Sequence, residues 1–378
     1  MASKVYFTDL QAREGSNLLV KLKRLMKQAG FEDIDFTDKY VAVKLHFGEP
    51  GNMAHLRPQY AKVVCDYVKE LGGKPFLTDC NTLYVGGRKN ALDHLESAYA
   101  NGFNPLVTGV HCIIADGLKG TDEALVPLEN TKHIKEAKIG RAIMDADIIV
   151  SLTHFKGHIS AGFGGAIKNI GMGGGSRRGK LEMHNQGQPA VFAEDCIGCG
   201  TCVRNCANDG IHVIDGKAKI DPDHCVGCGF CMTVCPKDAI LTDWSQASDV
   251  LNEKMAEYTW AIIKDRPNFH VSLVMDISPN CDCEGFNDVP IVPSVGMFAS
   301  FDPVALDQAC CDAVLKQPVM RGSSLERRRT RAAGEGALDV DLSNYFRVIH
   351  PKTRGEAALA HGEWLGMGTR EYELVTVK

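Results

Sequence analysis

One iron–sulfur signature is written twice in the interior of this chain. Cys196-Ile-Gly-Cys199-Gly-Thr-Cys202-Val-Arg-Asn-Cys206 is followed by Cys225-Val-Gly-Cys228-Gly-Phe-Cys231-Met-Thr-Val-Cys235-Pro236. Both runs are spaced C-x2-C-x2-C-x3-C, the bacterial pattern for cubane clusters, and each cysteine lies 29 residues after its counterpart. Three thiolates two residues apart can wrap a compact loop around three corners of a cluster, with glycines relieving backbone crowding. The fourth cysteine points away and ligates the other cluster. The expected ligand sets are therefore Cys196, Cys199, Cys202 and Cys235 for one cluster, and Cys225, Cys228, Cys231 and Cys206 for the other. A zinc site or a disulfide framework is the alternative, and this doubled register disfavours both. Ala207 stands where the second run has Pro236; the expected effect is a looser turn with no ligand lost.

A two-cluster loop pair needs about 50 residues, and the chain has 378, leaving enough for a large core or two lobes. Hydrophobic residues make up 44% and charged residues 24%, as in an ordinary soluble protein. The formal charge of −5 argues against general nucleic-acid binding, because there is no basic excess to displace counterions. The first residues lack a secretory pattern, and no apolar run reaches membrane-span length. Fifteen cysteines in such a chain are expected in a reducing cytoplasm, as ligands rather than disulfides. Cubane clusters degrade in oxygen, so an anaerobic host is expected.

On either side of the cysteine runs the sequence alternates strand and helix signals. Ser16–Ala29 places Leu18, Leu19, Leu22, Leu25, Met26 and Ala29 on one helical face. Tyr40–Phe47 reads as a strand, Pro58–Leu71 as a helix closed by Gly72-Gly73, and Lys74–Asp79 and Val110–Ala115 as short strands. Asp147–His154 looks like a buried strand turning polar at its C-terminal end. Beyond the cysteines, Phe269–Ile277 and Ile291–Ala299 are strand candidates. Asp302-Pro303 starts a helix, with Asp as N-cap and Pro in the first turn. The expected fold is an α/β host with a largely parallel sheet, residues 1–191 and 244–378, interrupted by an α+β ferredoxin-like insert over 192–243.

Outside the cysteine runs the densest segment is His154-Phe-Lys-Gly-His158, continuing to Lys180. Between Ala161 and Lys180 lie eight glycines, four basic residues and no acids. Such a backbone can turn N–H groups towards an anion while Lys168, Arg177, Arg178 and Lys180 supply charge. A flexible surface loop, basic by chance, is the alternative. Gly174–Lys180 nearly matches a phosphate loop, but Leu181 replaces the hydroxyl residue that would hold magnesium. His154 and His158 are candidates for proton transfer or metal ligation, with Lys156 as an electrostatic clamp, against a reading as ordinary hydrogen-bonding residues. Cys281-Asp-Cys283 follows a strand end, where open α/β sheets place ligands, and offers two soft ligands or an electron relay, against a reading as reduced, unligated thiols. Cys80 follows another strand end and is a third candidate for that site. Cys65, Cys112, Cys310 and Cys311 read as core.

Thr78-Asp-Cys-Asn-Thr-Leu-Tyr84, Ala115-Asp-Gly117, His154–His158, Gly162-Phe-Gly-Gly-Ala-Ile-Lys-Asn169, Cys281-Asp-Cys283 and Phe301-Asp-Pro-Val-Ala-Leu-Asp307 occur in that order around the cysteine runs. Together they resemble the DUF362 family, bacterial and archaeal proteins that often carry a two-cluster ferredoxin insert. The resemblance spans nearly the whole chain. It implies an α/β host akin to low-potential redox proteins of anaerobic metabolism, and no particular reaction. Cys80 departs from the threonine expected there.

Three functional readings follow. In the first, an oxidoreductase takes electrons from a ferredoxin-like partner through two [4Fe–4S] clusters to a host site built from the 154–180 segment, Cys80, Cys281 and Cys283. Lys156, Lys168 and the arginines would there hold an anionic substrate or cofactor, and His154 or His158 would supply protons. In the second, the chain is a non-enzymatic electron carrier. In the third, it is a maturation factor that holds an additional metal at Cys281 and Cys283.

Overall fold

The computed structural model describes residues 2–184, 188–225, 227, 229–242, 244, 246–335 and 341–378. Cys228, one of the expected ligands, and Asp243, the expected boundary of the insert, lie outside the described residues.

Strands β1 (Ser3–Asp9), β2 (Tyr40–Lys44), β3 (Lys74–Asp79), β4 (Cys112–Ile114), β5 (Ile148–His154), β6 (Asn268–Val274), β7 (Gly296–Ser300) and β8 (Tyr372–Thr376) form one 8-stranded sheet. Its order is β8-β1-β7-β6-β5-β2-β3-β4. β7 runs antiparallel to both neighbours, and every other pairing is parallel. The fold is thus mixed α/β on a mostly parallel sheet. All residues of β5 are buried, as expected of a central strand covered on both faces.

Alternation along the strands sends side chains to two cores. Val41, Val43, Val150, Leu152, Val271 and Leu273 meet the apolar sides of helices α1 (Leu18–Gln28) and α2 (Pro58–Glu70). Ala42 and Ile149 face the opposite layer, where α3 (Ala166–Gly174), α5 (Ser248–Ile263) and α6 (Pro303–Leu315) pack. Helix α4 (Arg177–His184) follows α3 directly. The cap at Asp302 forms as expected: its carboxylate accepts the N–H groups of Val304 and Ala305 at 2.8 and 2.9 Å. One turn on, Asp307 reaches across the layer and accepts the first free N–H groups of α3, from Ala166 and Ile167, at 2.7 and 3.0 Å.

Two expectations are corrected. The strand read at Ile291–Ala299 begins only at Gly296, because Pro290 and Pro293 cannot donate to a ladder. The glycine-rich segment is neither an N–H-presenting loop nor a surface loop; most of it is buried helix, α3 and α4. Its glycines admit a close neighbour: a Cβ on Gly171 would lie 2.1 Å from the Met255 carbonyl oxygen, and one on Gly174 2.5 Å from Ile262 Cδ1. Helix α5 therefore touches the backbone of α3.

The described residues of 190–241 form a separate small layer of two short antiparallel ladders and two short helices, Thr201–Arg204 and Phe230–Val234. Ala190 and Val191 pair with Leu241 and Ile240, so the chain enters and leaves this segment side by side. The 29-residue repeat extends to conformation. Gly198 and Gly200 have φ of 65° and 70°, and Gly227 and Gly229 have φ of 66° and 68°. Asp209 and Asp238, also one repeat apart, are both left-handed at 52° and 50°.

Candidate functional site

The parallel strands β2, β3, β5 and β6 end on the same edge of the sheet. From β2 the chain steps outward through β3 to β4, then returns on the other side of β2 as β5. The crevice beyond the carboxyl ends of β2 and β5 is the switch point at which open α/β sheets bind ligands. A cavity of about 540 Å³ lies there, within the size range of small-molecule sites. It is lined by the ends of β2 and β3, the loop after β5, the cavity side of α3, and the Cys281–Glu284 loop.

A buried charge network forms its floor. Lys44 Nζ lies 3.0 Å from Asp79 Oδ1, and Arg88 contacts Asp79 at 3.4 Å and Glu49 at 2.9 Å. Asn169 on α3 ties the network to the sheet: its amide group donates to the Lys44 carbonyl and to Thr153 Oγ1, and its oxygen accepts from Lys44 Nζ. Burial opposes ionisation of Asp79, but Lys44, His46, His94 and Arg88 together hold it below the usual carboxylate range. The sequence signal for this floor was a lysine and an aspartate closing two apolar strands. Arg88 carried none, since it comes from a loop.

Asp282, also buried, organises the opposite wall. Its carboxylate takes His154 Nδ1 at 2.9 Å and Lys156 Nζ at 3.1 Å, and its carbonyl takes the N–H of Glu49. His154 Nε2 meets the Met275 carbonyl at 2.8 Å. With both ring nitrogens engaged and the side chain off the cavity lining, His154 is a strut; Lys156 lines the cavity beside it. Burial opposes the charge on Lys156, but Asp282 and Cys281 raise its pKa.

His158, Cys281 and Cys283 each bring one ligand atom to within 4.8 Å of the others, a separation that could hold a metal ion. Lys168 Nζ stands 3.8 Å from Cys281 Sγ. Cys283, with Lys168, Lys156 and His158, holds Cys281 well below the usual thiol range. Cys281, with burial, holds Cys283 well above it. Burial, reinforced by Lys168, pushes His158 down to about 4. Cys80 lines the same cavity, but its thiol is turned to the Gly174 carbonyl at 3.4 Å and is absent from the group of three.

The four basic residues of the glycine-rich segment divide. Lys168 and Lys180 line the cavity, and among the described residues neither has a carboxylate within 4.0 Å. Arg177 is buried elsewhere, donating to the carbonyls of Lys119 and Lys89, and Arg178 pairs with Glu123 at 3.4 Å. The structure thus places neither arginine in an anion cradle with the lysines. His184 and Trp244, their rings 4.6 Å apart, also line the cavity, and sequence reading singled out neither.

In the small layer, Cys196, Cys199, Cys202 and Cys235 surround one void. Cys206, Cys225 and Cys231 surround a second. Backbone N–H groups of Ala218, Gly210 and Ala239 point at the sulfurs of Cys196, Cys206 and Cys235 at 3.3, 3.2 and 3.3 Å. The layer docks on the host through Lys119 over the Phe230 ring at 5.2 Å, the ion pair of Lys89 with Asp238, and an apolar cluster. In that cluster Leu83 and Leu181 of the host join Cys196, Cys202 and Met232. Leu83 lines the large cavity as well. Among the described residues no helix is long and apolar enough to cross a membrane.

The family model described as "Domain of unknown function (DUF362)" matches residues 41–312, and the chain belongs to that family. A curated relative, the thylakoid-associated protein sll1697 of Synechocystis, is 25% identical over 177 residues, which are 45% of this chain and 50% of that protein. The chain thus spans half the length of the curated relative it matches. Among solved structures, the lactate racemase apoprotein of Thermoanaerobacterium thermosaccharolyticum is similar at 13% identity and a TM-score of 0.37, covering 72% of this chain and 51% of that one. A Thermotoga maritima protein is similar at 12% identity and a TM-score of 0.40, covering 79% and 58%.

Proposed function

We propose that this DUF362 protein is an iron–sulfur oxidoreductase whose redox unit is the 192–243 segment and whose reaction site is the cavity at the switch point. Cys196, Cys199, Cys202 and Cys235 would hold one [4Fe–4S] cluster, and Cys225, Cys228, Cys231 and Cys206 the other. The donor set fits such clusters: four thiols surround one void and the three described thiols Cys206, Cys225 and Cys231 the other, with backbone N–H groups directed at the sulfurs of Cys196, Cys206 and Cys235. When bound, each cluster supplies storage of one electron at a potential set by burial and hydrogen bonding. A ferredoxin-like protein is the proposed donor.

The observation that carries this reading is Leu83, which lines the cavity and belongs to the same apolar cluster as Cys196 and Cys202. One continuous apolar cluster thus runs from the redox unit to the lining of the site. A carrier that only docks its partners has no need of a cavity of this size in that position. Lys168 and Lys180 would bind an anionic substrate, and His158 and His184 line the volume it would occupy. His154 and Lys156 act one step removed, by holding Asp282. A metal-delivery role has one observation in its favour, the 4.8 Å group of His158, Cys281 and Cys283.

The test is iron, acid-labile sulfide and electron paramagnetic resonance on full-length protein purified without oxygen. About eight irons with matching sulfide, and reduced-cluster signals lost when Cys199 or Cys228 is changed to Ser, are expected. Iron far below that content would overturn the assignment.

A further inference from the structure

The Cys281–Cys283 loop has a feature that metal binding does not explain. Asp282, between the two cysteines, is pinned away from the cavity by His154 and Lys156, so both neighbouring thiols line it together. His158 Nδ1 accepts the backbone N–H groups of Ser160 and Ala161 at 3.1 and 2.9 Å. In a neutral ring that leaves the proton on Nε2. A metal-ligating histidine normally donates its second nitrogen to an acceptor; here Nδ1 faces two donors. Lys168 Nζ, 3.8 Å from Cys281 Sγ, is a cation beside the sulfur, which suits a thiolate better than a metal ion.

We propose that Cys281 and Cys283 are a reversible dithiol–disulfide couple that reduces a small anionic disulfide held by Lys168 and Lys180. The Cys281 thiolate attacks one sulfur of the substrate, forming a mixed disulfide and releasing one substrate thiol, which takes up a proton. Cys283 then loses its proton and attacks Cys281 Sγ, closing the internal disulfide and releasing the second substrate thiol. Two electrons have moved from the cysteine pair to the substrate; of the two protons its thiols take up, one comes from Cys283 and one from solvent. Restoring the thiolate–thiol pair takes two electrons and one proton, the electrons coming singly from a low-potential one-electron donor. Two one-electron centres in the same chain match that requirement, and in this respect the inference rests on the redox reading above.

The test uses the full-length protein, purified without oxygen and divided into two portions. One is treated with diamide, alkylated and digested; mass spectrometry is expected to find the peptide carrying Cys281 and Cys283 lighter by two hydrogens, reversibly on adding dithiothreitol. The other is reduced, desalted and mixed with glutathione disulfide as the anionic probe. It should release two thiols per chain, with none beyond background from Cys281→Ser and a trapped mixed disulfide from Cys283→Ser. Circular dichroism and iron content show whether each variant has folded. Two free thiols at every oxidant level, or a stoichiometric non-iron metal lost in Cys281→Ser, would overturn the couple. Iron and sulfide are measured on the same sample. Full cluster content without the disulfide defeats this inference alone, and the disulfide without iron defeats the cluster assignment alone.

Discussion

Asp282→Asn conserves shape and removes one charge from a fully buried ion pair. The side chains of Asp282 and Lys156 are 0% and 6% exposed, so water screens neither. Removing one member of a buried pair costs about 3–5 kcal/mol, because the other charge stays in a poorly polarisable interior. The asparagine oxygen can still accept from Lys156 or His154, and a hydrogen bond to a charged donor is worth about 1.5–3 kcal/mol. The expected net loss is about 2 kcal/mol. Asp276→Asn is the internal control: its pair with Arg57 has side chains 39% and 60% exposed and should be worth less than about 1 kcal/mol. Asp276 has a φ of 48°, a left-handed conformation that asparagine tolerates, so the control adds no backbone strain. Guanidinium unfolding without oxygen, followed by tryptophan fluorescence, compares the two. Asp282 has a depressed folded-state pKa, so its contribution is present above the ordinary carboxylate range and is lost only as pH falls through and below it. The difference between wild type and Asp282→Asn should therefore be flat from pH 6 to 8. If Asp282→Asn is no more damaging than Asp276→Asn, the strut reading is refuted.

Burial lowers His94 and His270 to about 3 and His158 to about 4. Their stabilising contribution is complete above the unfolded value of about 6.5 and is lost as pH falls towards the folded values, at about 1.4 kcal/mol per unit for each group. Unfolding midpoints at pH 7.5, 6.5 and 5.5 should fall in that order, and equal midpoints would refute it. Asp307 has the opposite sign. Burial raises it to about 7 despite the N–H groups of Ile167 and Ala166, so its contribution is greatest at low pH and declines as pH rises from about 4 through 7. Asp307→Asn should therefore compare more favourably with wild type at pH 8 than at pH 5. Gly173→Ala would place a Cβ 2.2 Å from Lys44 Nζ, which is held by Asp79 and Asn169. A glycine-to-alanine change inside a helix ordinarily gains about 0.5–1 kcal/mol; here overpacking should reverse the sign to a loss of about 1–3 kcal/mol, read from the same unfolding curves.

The elements legible in the sequence are those whose signal is local. Lys74–Asp79 is read as a strand and forms over those residues, and Asp302-Pro303 announces α6 by capping chemistry alone. The parallel sheet follows from the alternation of elements, but its order does not, because nothing local tells β5 to return to the far side of β2. The glycine-rich segment fails for a related reason. Its composition suits a loop, and only the approach of α5 to Gly171 and Gly174 explains glycines inside a helix. His154 resembles a proton donor until Asp282, 128 residues away in sequence, is found against its ring. The cysteine runs are readable because their spacing is short and repeated. The pairing of Cys281 with Cys283 is likewise local, whereas His158 and Lys168 reach them only through the fold.

The charges of the cavity make its ligand preference testable. Lys44 and Arg88 are answered by Asp79 and Glu49, and Lys156 by Asp282. Lys168, Lys180 and the carboxylate of Glu284 remain on the lining, and Lys168 is directed at the Cys281 sulfur. If Cys281 is a thiolate, it uses the charge of Lys168, leaving Lys180 for a monoanion. Cys281→Ser should then release Lys168 and shift preference towards a dianion. Unit charges about 4 Å apart interact by about 4 kcal/mol at an effective dielectric of 20. Recovering a third of that would strengthen dianion binding roughly tenfold. Calorimetry with oxalate and acetate reads the ratio directly: it should rise in Cys281→Ser and fall in Lys168→Met. An unchanged ratio in Cys281→Ser would mean that Cys281 carries no negative charge in the folded protein, and the thiolate chemistry argued for this cavity would fail with it.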